Sequence, residues 1–214
     1  MSPRVAVAAP AAAAVAALAA TAIGALAGCG GATRSSPPTV LQVTASAPGR
    51  TDEFATAFAA GDGRAITVAH ALAGARAVLL AAPHRRGRRV RVVRADGRLD
   101  LALLSVPGLK APMVRTARPQ AGQGTRVLVV RGDRRRVLRA KVRRLITARV
   151  RDGPGAVARI RPAFELDAAV LPGDSGAPVL DGDGRLVGMI FAQASDRADR
   201  AYALDARALG SALR

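Results

Sequence analysis

Apolar and polar residues alternate in short stretches along most of the chain beyond residue 39. Three stretches show the alternation plainly: "RRVRVVR" at 88–94, "GTRVLVV" at 124–130 and "LRAKVRR" at 138–144. A period of two residues is that of a β-strand, whose successive side chains face opposite ways. Glycine and aspartate turns separate the stretches, as in "GDG" at 61–63 and "DGDG" at 181–184. The pattern predicts an all-β fold, a sandwich or a pair of barrels, with only "LDARALGSALR" at 204–214 helical.

The first 28 residues differ, because they form a long, alanine-rich apolar run that carries one charge, Arg4. A short basic start, an apolar middle and small residues before a cleavage point are typical of a secretory signal peptide. The run ends in "LAGC" at 26–29, which resembles the bacterial lipobox. That resemblance implies that Cys29 is lipidated and that the signal is cut before it. The alternative is an uncleaved membrane-spanning anchor, which Pro10 and the alanine content disfavour.

Residues 29–38 are predicted to be the lipidated cysteine and a flexible tether, since "GGATRSSPP" is rich in glycine, serine and proline. Nine residues reach at most about 30 Å. The folded domain at 39–214 is therefore expected close to the cell membrane, on its extracytoplasmic face.

The composition limits the possible core and partners. Half of the residues are apolar, but the chain has four phenylalanines, one tyrosine and no tryptophan, so aliphatic side chains have to fill the core. The formal charge of +18 is almost wholly arginine, because Lys110 and Lys141 are the only lysines. We interpret it as a solvated basic surface, with anionic lipid or acidic cell-wall polymers as candidate partners. Export and the scarcity of stacking aromatic residues argue against nucleic acid.

The chemistry of the chain centres on "LPGDSGAPVL" at 171–180, where Ser175 is either a nucleophile or part of a tight turn. Cys29 is the only cysteine, so an intrachain disulfide and a thiolate metal cluster are excluded. Two histidines argue against a zinc site. We expect no metal or cofactor.

A nucleophilic serine needs an imidazole to take its proton and a carboxylate to orient that imidazole. His70 follows the strand-like "AITVA" among small residues, whereas His84 lies in a polar, arginine-crowded loop and is interpreted as a surface residue. Among the carboxylates, Asp96 belongs to a turn and Asp133 has arginine neighbours. Asp100 differs because it directly precedes the apolar strand "LALLSV", where it can be held against the core and presented to an imidazole.

Three blocks in this order carry a resemblance to a known family: "TVAH", "LDLALLSV" and "PGDSGAPVLDGDGRLVGMIF". They are similar to the signature blocks of trypsin-like serine proteases, and in particular of the bacterial HtrA-type branch. The segment 164–192 most resembles the MarP-like proteases of actinobacteria, and the resemblance covers roughly 39–214. The chain order His, Asp, Ser agrees with it. An α/β-hydrolase would have the reverse order and a glycine where this chain has Ala177, so that alternative fails.

The resemblance implies two six-stranded antiparallel β-barrels, the first at about 39–110 and the second at about 120–205, with the cleft between them. It also implies roles for single residues. Ser175 would attack a peptide carbonyl, His70 would act as the general base, and Asp100 would orient the imidazole. The backbone N–H groups of Gly173 and Ser175 would form the oxyanion hole. The substrate would be a protein or peptide.

The sequence also departs from the family. Ala177 replaces a glycine, and its methyl group is expected to strain the backbone there. Phe191 stands where many members have a serine that hydrogen-bonds the triad aspartate. The primary substrate pocket is expected at Ala169 and the strand Ile190, Phe191 and Ala192, and Ala169 carries no charge, which predicts preference for small or apolar side chains. The alternative function is a catalytically inactive scaffold that binds peptides or envelope components.

Overall fold

The computed structural model describes residues 4–8, 35–151 and 157–213. Their regular structure is almost entirely β, which confirms the predicted class. Helix is limited to two 3-10 turns, His70–Leu72 and Ala206–Leu209, and to the helix α1, Gly210–Leu213. The two C-terminal elements lie within the stretch predicted to be helical, whereas the alternation gives no sign of the turn at His70. None of the helices in this part of the chain has the length and apolar content needed to cross a membrane.

The strands are numbered here in chain order. They are β1 (Arg4–Ala8), β2 (Val40–Ser46), β3 (Glu53–Gly61), β4 (Arg64–Thr67), β5 (Ala77–Ala81), β6 (Arg88–Arg89), β7 (Arg91–Asp96), β8 (Leu101–Ser105), β9 (Gly124–Arg131), β10 (Arg134–Arg151), β11 (Arg159–Asp167), β12 (Pro178–Leu180), β13 (Leu186–Gln193) and β14 (Arg200–Asp205).

The first barrel consists of strands β2 to β8, hydrogen-bonded in the order β6-β5-β2-β3-β4-β8-β7. It has the six expected strands and the two-residue β6. The strands at the two ends of this order, β6 and β7, are separated in the chain by Val90 alone. The sheet therefore has to curl until its edges meet, and Val90 is buried in the apolar cluster at that point.

The second barrel is closed by hydrogen bonds. Its order is β10-β11-β14-β13-β12-β9, and β9 pairs again with β10 to complete a six-stranded antiparallel ring. The 18-residue β10 pairs with β9 through its first half and with β11 through its second, and the register shifts between Val142 and Arg144. The strand β1 lies outside the ring and pairs with β10.

The predicted signal peptide, lipobox and tether fall mostly outside the described residues. Of residues 1–38, the structure describes β1 and residues 35–38, and Cys29 is not among them. The signal peptide and the lipidation of Cys29 stay predictions.

Aliphatic side chains fill the interior, as the composition requires. One buried cluster lies within the second barrel and includes Val127, Phe164 and Leu166. The other combines residues of both sheets, such as Phe58 of the first and Phe191 of the second. The two barrels therefore pack directly on each other, which fixes the groups that each contributes at their junction.

Candidate active site at the junction of two barrels

His70 and Asp100 lie at the ends of neighbouring strands of the first barrel. His70 begins the 3-10 turn shortly after β4, and Asp100 directly precedes β8, which pairs with β4 in antiparallel fashion. The pairing of Thr67 with Ala102 brings the two side chains to the same edge. This confirms the expectation that a carboxylate at the entrance of "LALLSV" is presented to His70.

Two hydrogen bonds join the two residues, and a third ties Asp100 to the residue before His70. The His70 ring nitrogen Nδ1 lies 2.7 Å from Asp100 Oδ2, and the His70 backbone N–H donates to Oδ1 at 2.8 Å. The backbone N–H of Ala69 donates to the Asp100 carbonyl oxygen at 3.2 Å. Because a carboxylate can only accept, Nδ1 carries the proton and Nε2 is left with its lone pair.

The backbone of Asp100 is unusual. Its φ of 59° lies in the left-handed region, which few residues other than glycine enter and which aspartate tolerates better than most. Before it, the Asp96 carboxylate accepts hydrogen bonds from the N–H groups of Arg98 and Leu99, which tightens the turn. The conformation lets both carboxylate oxygens face His70. The Asp100 side chain is 9% exposed, and the imidazole is 33% exposed.

Ser175 lies on the loop between β11 and β12 of the second barrel. The neighbouring Asp174 is fully buried, and its carboxylate accepts hydrogen bonds from Arg131 at 2.6 and 3.1 Å and from the Leu171 N–H at 2.8 Å. This hydrogen bonding raises the pKa of Arg131. A third bond from Arg131, of 3.4 Å, reaches the carbonyl oxygen of Ala169. Arg131 thus ties the two ends of the loop together.

Contacts with β3 of the first barrel fix this loop. Thr56 of β3 donates through its backbone N–H to the Ser175 carbonyl oxygen at 2.8 Å and through Oγ1 to the Gly173 carbonyl oxygen at 3.0 Å. Gly176 has a φ of 89°, and a Cβ there would overlap the Thr56 carbonyl oxygen. Only glycine permits this approach of the serine loop to the strand.

The strain expected at Ala177 is absent, and that expectation is wrong. The glycines of this loop that have positive φ are Gly173, at 94°, and Gly176, whereas Ala177 has no positive φ. Its side chain is buried, and its carbonyl oxygen accepts a hydrogen bond from Ile190 N–H at 2.9 Å. The methyl group therefore packs in the second barrel and leaves the loop undistorted.

The Ser175 hydroxyl forms no hydrogen bond with any residue in the described ranges, so His70 Nε2 and Ser175 Oγ are not joined. The backbone N–H groups of Gly173 and Ser175 likewise donate to no described residue. These groups all lie on the loop that faces the first barrel.

The residues predicted to form the substrate pocket have different environments. Ala169 is exposed on the serine loop. Of the strand residues, Ile190 packs in the core of the second barrel, while Phe191 and Ala192 belong to the cluster shared by the two barrels. His84 is exposed, as expected, and its Nδ1 lies 3.2 Å from Asp133 Oδ2.

Sequence reasoning does not identify Arg161. This arginine of β11 has 1% of its side chain exposed, and its Nη1 lies 3.4 Å from Asp100 Oδ2 and 3.3 Å from the Leu99 carbonyl oxygen. Its guanidinium carbon stands 5.1 Å from the centroid of the Phe191 ring. The one available sign is an arginine at a core-facing position of "ARIRPAFELD", which is hard to recognise among 33 basic residues.

Two β-barrels, with an aspartate-bound histidine on one and a Gly-Asp-Ser-Gly loop on the other, define the class of trypsin-like peptidases. The family model described as "Trypsin-like peptidase domain" matches residues 55–189. The match spans more than half of the chain, and the chain belongs to this family.

Individual relatives give the same assignment. The chain is 29% identical over 180 residues to serine protease Rv3671c of Mycobacterium tuberculosis strain H37Rv, a match that covers 79% of this chain and 44% of the relative. Serine protease MT3772 of strain CDC 1551 gives the same figures. This chain thus spans less than half the length of the curated relatives that it matches.

Solved structures agree in fold. The active form of the Rv3671c protease superimposes with a TM-score of 0.75 and 26% identity, over 94% of this chain and 93% of that one. The HtrA-type protease AlgW with a bound tripeptide gives a TM-score of 0.67 at 21% identity, over 81% and 58% of the two chains. The resemblance to these two branches of the family, predicted from three sequence blocks, is confirmed.

Proposed function

We propose that this chain is a serine endopeptidase that hydrolyses peptide bonds through His70, Asp100 and Ser175. The hydrogen bond of 2.7 Å between His70 Nδ1 and Asp100 Oδ2 carries the proposal. It sets the tautomer in which Nε2 can accept a proton. A histidine that only stabilised the core would not need a buried carboxylate and an exposed ring edge at once.

In this mechanism the Ser175 hydroxyl gives its proton to His70 Nε2 as its oxygen attacks the substrate carbonyl carbon. The imidazolium that forms is stabilised by the carboxylate of Asp100. His70 then gives the proton to the leaving amine, which breaks the C–N bond and leaves an acyl-serine. Water deprotonated by the same nitrogen hydrolyses the acyl-serine and restores the enzyme.

The developing oxyanion would be bound by the N–H groups of Gly173 and Ser175. The loop that carries them is held by Arg131 from one side and by Thr56 from the other. Rigid donors of this kind cost no reorganisation as the charge develops, and one lost donor typically raises the barrier by about 3 kcal/mol.

A second candidate function is peptide binding without cleavage. It is favoured by the missing hydrogen bond between His70 and Ser175. Hydrolysis accounts for the site better, because catalytic hydrogen bonds are often long in the free enzyme and tighten when substrate binds.

The primary specificity that we propose is for small or apolar side chains, because no acidic residue stands at Ala169 to pair with arginine or lysine. We further propose that the protein works outside the cytoplasm, anchored to the membrane through a lipid on Cys29. Anionic lipid or acidic wall polymers are then candidate partners of its arginine-rich surface.

Labelling with a fluorophosphonate probe tests the hydrolase. Full-length protein in detergent should be labelled, and Ser175→Ala should not be. A digest of denatured protein should yield cleavage sites that follow small or apolar residues. An unlabelled, folded wild-type protein that binds peptides equally well with and without Ser175 would establish the non-cleaving alternative.

Membrane fractionation tests the anchor. Association that survives a salt wash and is lost in Cys29→Ala supports acylation, whereas association that moderate salt removes would replace it with attraction to charge.

A further inference from the structure

Arg161 is a buried charge that reaches the site from the opposite barrel. It lies on β11 of the second barrel, while Asp100 belongs to the first. Its Nη1 approaches the same carboxylate oxygen, Oδ2, that accepts the hydrogen bond from His70 Nδ1. The aspartate therefore stands between an imidazole on one side and a guanidinium on the other.

A charge in this place calls for a physical reason. Taking a guanidinium out of water is costly unless an opposite charge and hydrogen-bond acceptors compensate for it. Here the compensating groups include the Asp100 carboxylate and the Leu99 carbonyl oxygen. Both belong to the short segment that presents the carboxylate to His70.

Phe191 supplies a platform for the guanidinium. Many trypsin-like proteases carry at this position a serine that hydrogen-bonds the triad aspartate, and a phenyl ring has no donor to offer. The Phe191 ring instead lies under Arg161, with 5.1 Å between the guanidinium carbon and the ring centroid. This is the geometry of a cation–π contact, which limits the rotamers open to the arginine.

Neighbouring Arg159 strengthens the connection between the barrels. Its Nη1 donates to the Gly97 carbonyl oxygen at 3.0 Å, in the same turn that leads to Asp100. Two arginines of β11 thus bind one loop of the first barrel, and only Arg161 touches the carboxylate.

We propose that Arg161 is a positioning residue for the reaction: it holds the Asp100 carboxylate against His70 and takes the place of the hydrogen-bond donor that Phe191 removes. The catalytic part of this inference rests on the proposed function. Its structural content, that the bond between His70 and Asp100 depends on Arg161, can be measured without turnover.

The kinetic test compares Arg161→Met, Arg161→Lys and Arg207→Met on a peptide chosen from the digest profile. Arg207 is the matched control, because it too pairs with a buried aspartate, Asp205, at 2.6 Å. For Arg161→Met we expect a fall in kcat of about 10- to 100-fold, below the roughly 10⁴-fold loss that follows when a triad aspartate becomes asparagine. KM should stay within about twofold, since no substrate contact is lost.

The variant Arg161→Lys should recover part of the rate, because lysine keeps the charge and lacks the planar group that stacks on Phe191. The double variant Asp100→Asn/Arg161→Met should be no slower than Asp100→Asn alone, since Arg161 acts through that carboxylate. Arg207→Met should keep the wild-type kcat and KM.

The spectroscopic test follows the His70 Nδ1 proton by NMR. A proton in this short bond gives a separate low-field resonance, which should be lost or shifted in Arg161→Met and unchanged in Arg207→Met. Thermal unfolding shows that each variant is folded. If Arg161→Met does not fold, the same resonance and the same comparison of kcat with KM are measured on Arg161→Lys instead.

A folded Arg161→Met enzyme with wild-type kcat and an unchanged resonance would overturn the proposal. So would a double variant much slower than Asp100→Asn alone. If the wild type shows no turnover while its resonance responds to Arg161, the proposed function fails and the positioning role stands.

Discussion

Thr56 donates a hydrogen bond of 3.0 Å from its side chain to the carbonyl oxygen of Gly173, which lies 117 residues further along the chain. This bond crosses from one barrel to the other. It fixes the peptide group between Gly173 and Asp174, which lies between the two N–H groups of the proposed oxyanion hole. The proposed oxyanion hole depends on a side chain of the barrel that carries the histidine.

Replacing Thr56 with valine should therefore lower kcat. The change keeps the shape of the side chain and removes one hydrogen bond, so we expect a loss of about threefold to tenfold, equivalent to about 0.5–1.5 kcal/mol. Thr125→Val is the matched control, since Thr125 Oγ1 is buried and has no partner among the described residues. An equal change of kcat in both variants would contradict the role given to Thr56.

Arg131→Met should reduce both stability and kcat. The change leaves the fully buried Asp174 carboxylate without its guanidinium partner. Breaking a buried pair costs about 3–5 kcal/mol, and we expect the lower end because Arg131 is partly exposed. Urea unfolding and peptide turnover measure the two effects. The double variant Arg131→Met/Asp174→Asn should regain stability, and the account fails if it is less stable than Arg131→Met.

Gly176→Ala and Ala177→Gly should behave in opposite ways. At Gly176 an added methyl group would overlap the Thr56 carbonyl oxygen and would force a left-handed backbone on alanine, so we expect loss of activity and a large fall in Tm. Ala177→Gly should cost about 1 kcal/mol through backbone freedom and should leave kcat unchanged. A several-fold faster Ala177→Gly enzyme would show that the alanine does strain the loop.

Glu165→Gln should destabilise the second barrel without changing kcat. Its buried carboxylate pairs with three arginines of two strands, β10 and β14, at the following distances: Arg143 at 3.2 Å, Arg144 at 2.9 Å and Arg200 at 2.8 Å. Because those arginines can turn toward water, we expect a loss of about 1–3 kcal/mol in urea unfolding. An unchanged midpoint would mean that the cluster is only a solvated group of charges.

The ionisation of Tyr202 should lower the free energy of unfolding in strong base. Burial, and after it the negative charge of Glu165, raises the pKa of Tyr202 above its ordinary value of 10.0. Unfolded chains lose this proton near pH 10, while the folded protein keeps it to higher pH. The folded state then binds more protons, so the free energy of unfolding falls as pH rises above about 10. Tyr202→Phe should flatten that fall, and absorbance follows the only tyrosine directly. Parallel pH profiles in the two proteins would refute it.

The sequence was sufficient to predict the fold and the part of the site that lies on the first barrel. Alternating stretches predict strands such as β9 and β10, which bury one face and expose the other, whereas β7 is mostly exposed and β13 is buried on both faces. Asp100 could be chosen over Asp96 and Asp133 because it alone adjoins a buried strand. That choice depends on local pattern, and the structure brings the Asp100 carboxylate into hydrogen-bond contact with His70.

The sequence could not predict the contacts that cross between barrels. Arg161 and Asp100 are far apart in the chain, and nothing in the pattern of charges distinguishes a buried arginine from its many exposed neighbours. The expectation that Ala177 strains the backbone was wrong for a similar reason. Backbone geometry at one position depends on the strand packed against it, and here Gly176 takes up the positive φ.

Thr56 and Arg161 lie on different barrels, and during biosynthesis the ribosome makes one barrel before the other. A ribosome making this chain completes the imidazole and its carboxylate long before it reaches the serine loop or β11. A half-made polypeptide therefore lacks the serine of the proposed catalytic site. The proposed catalytic site is complete only once the last strands have been synthesised and the two barrels have packed on each other.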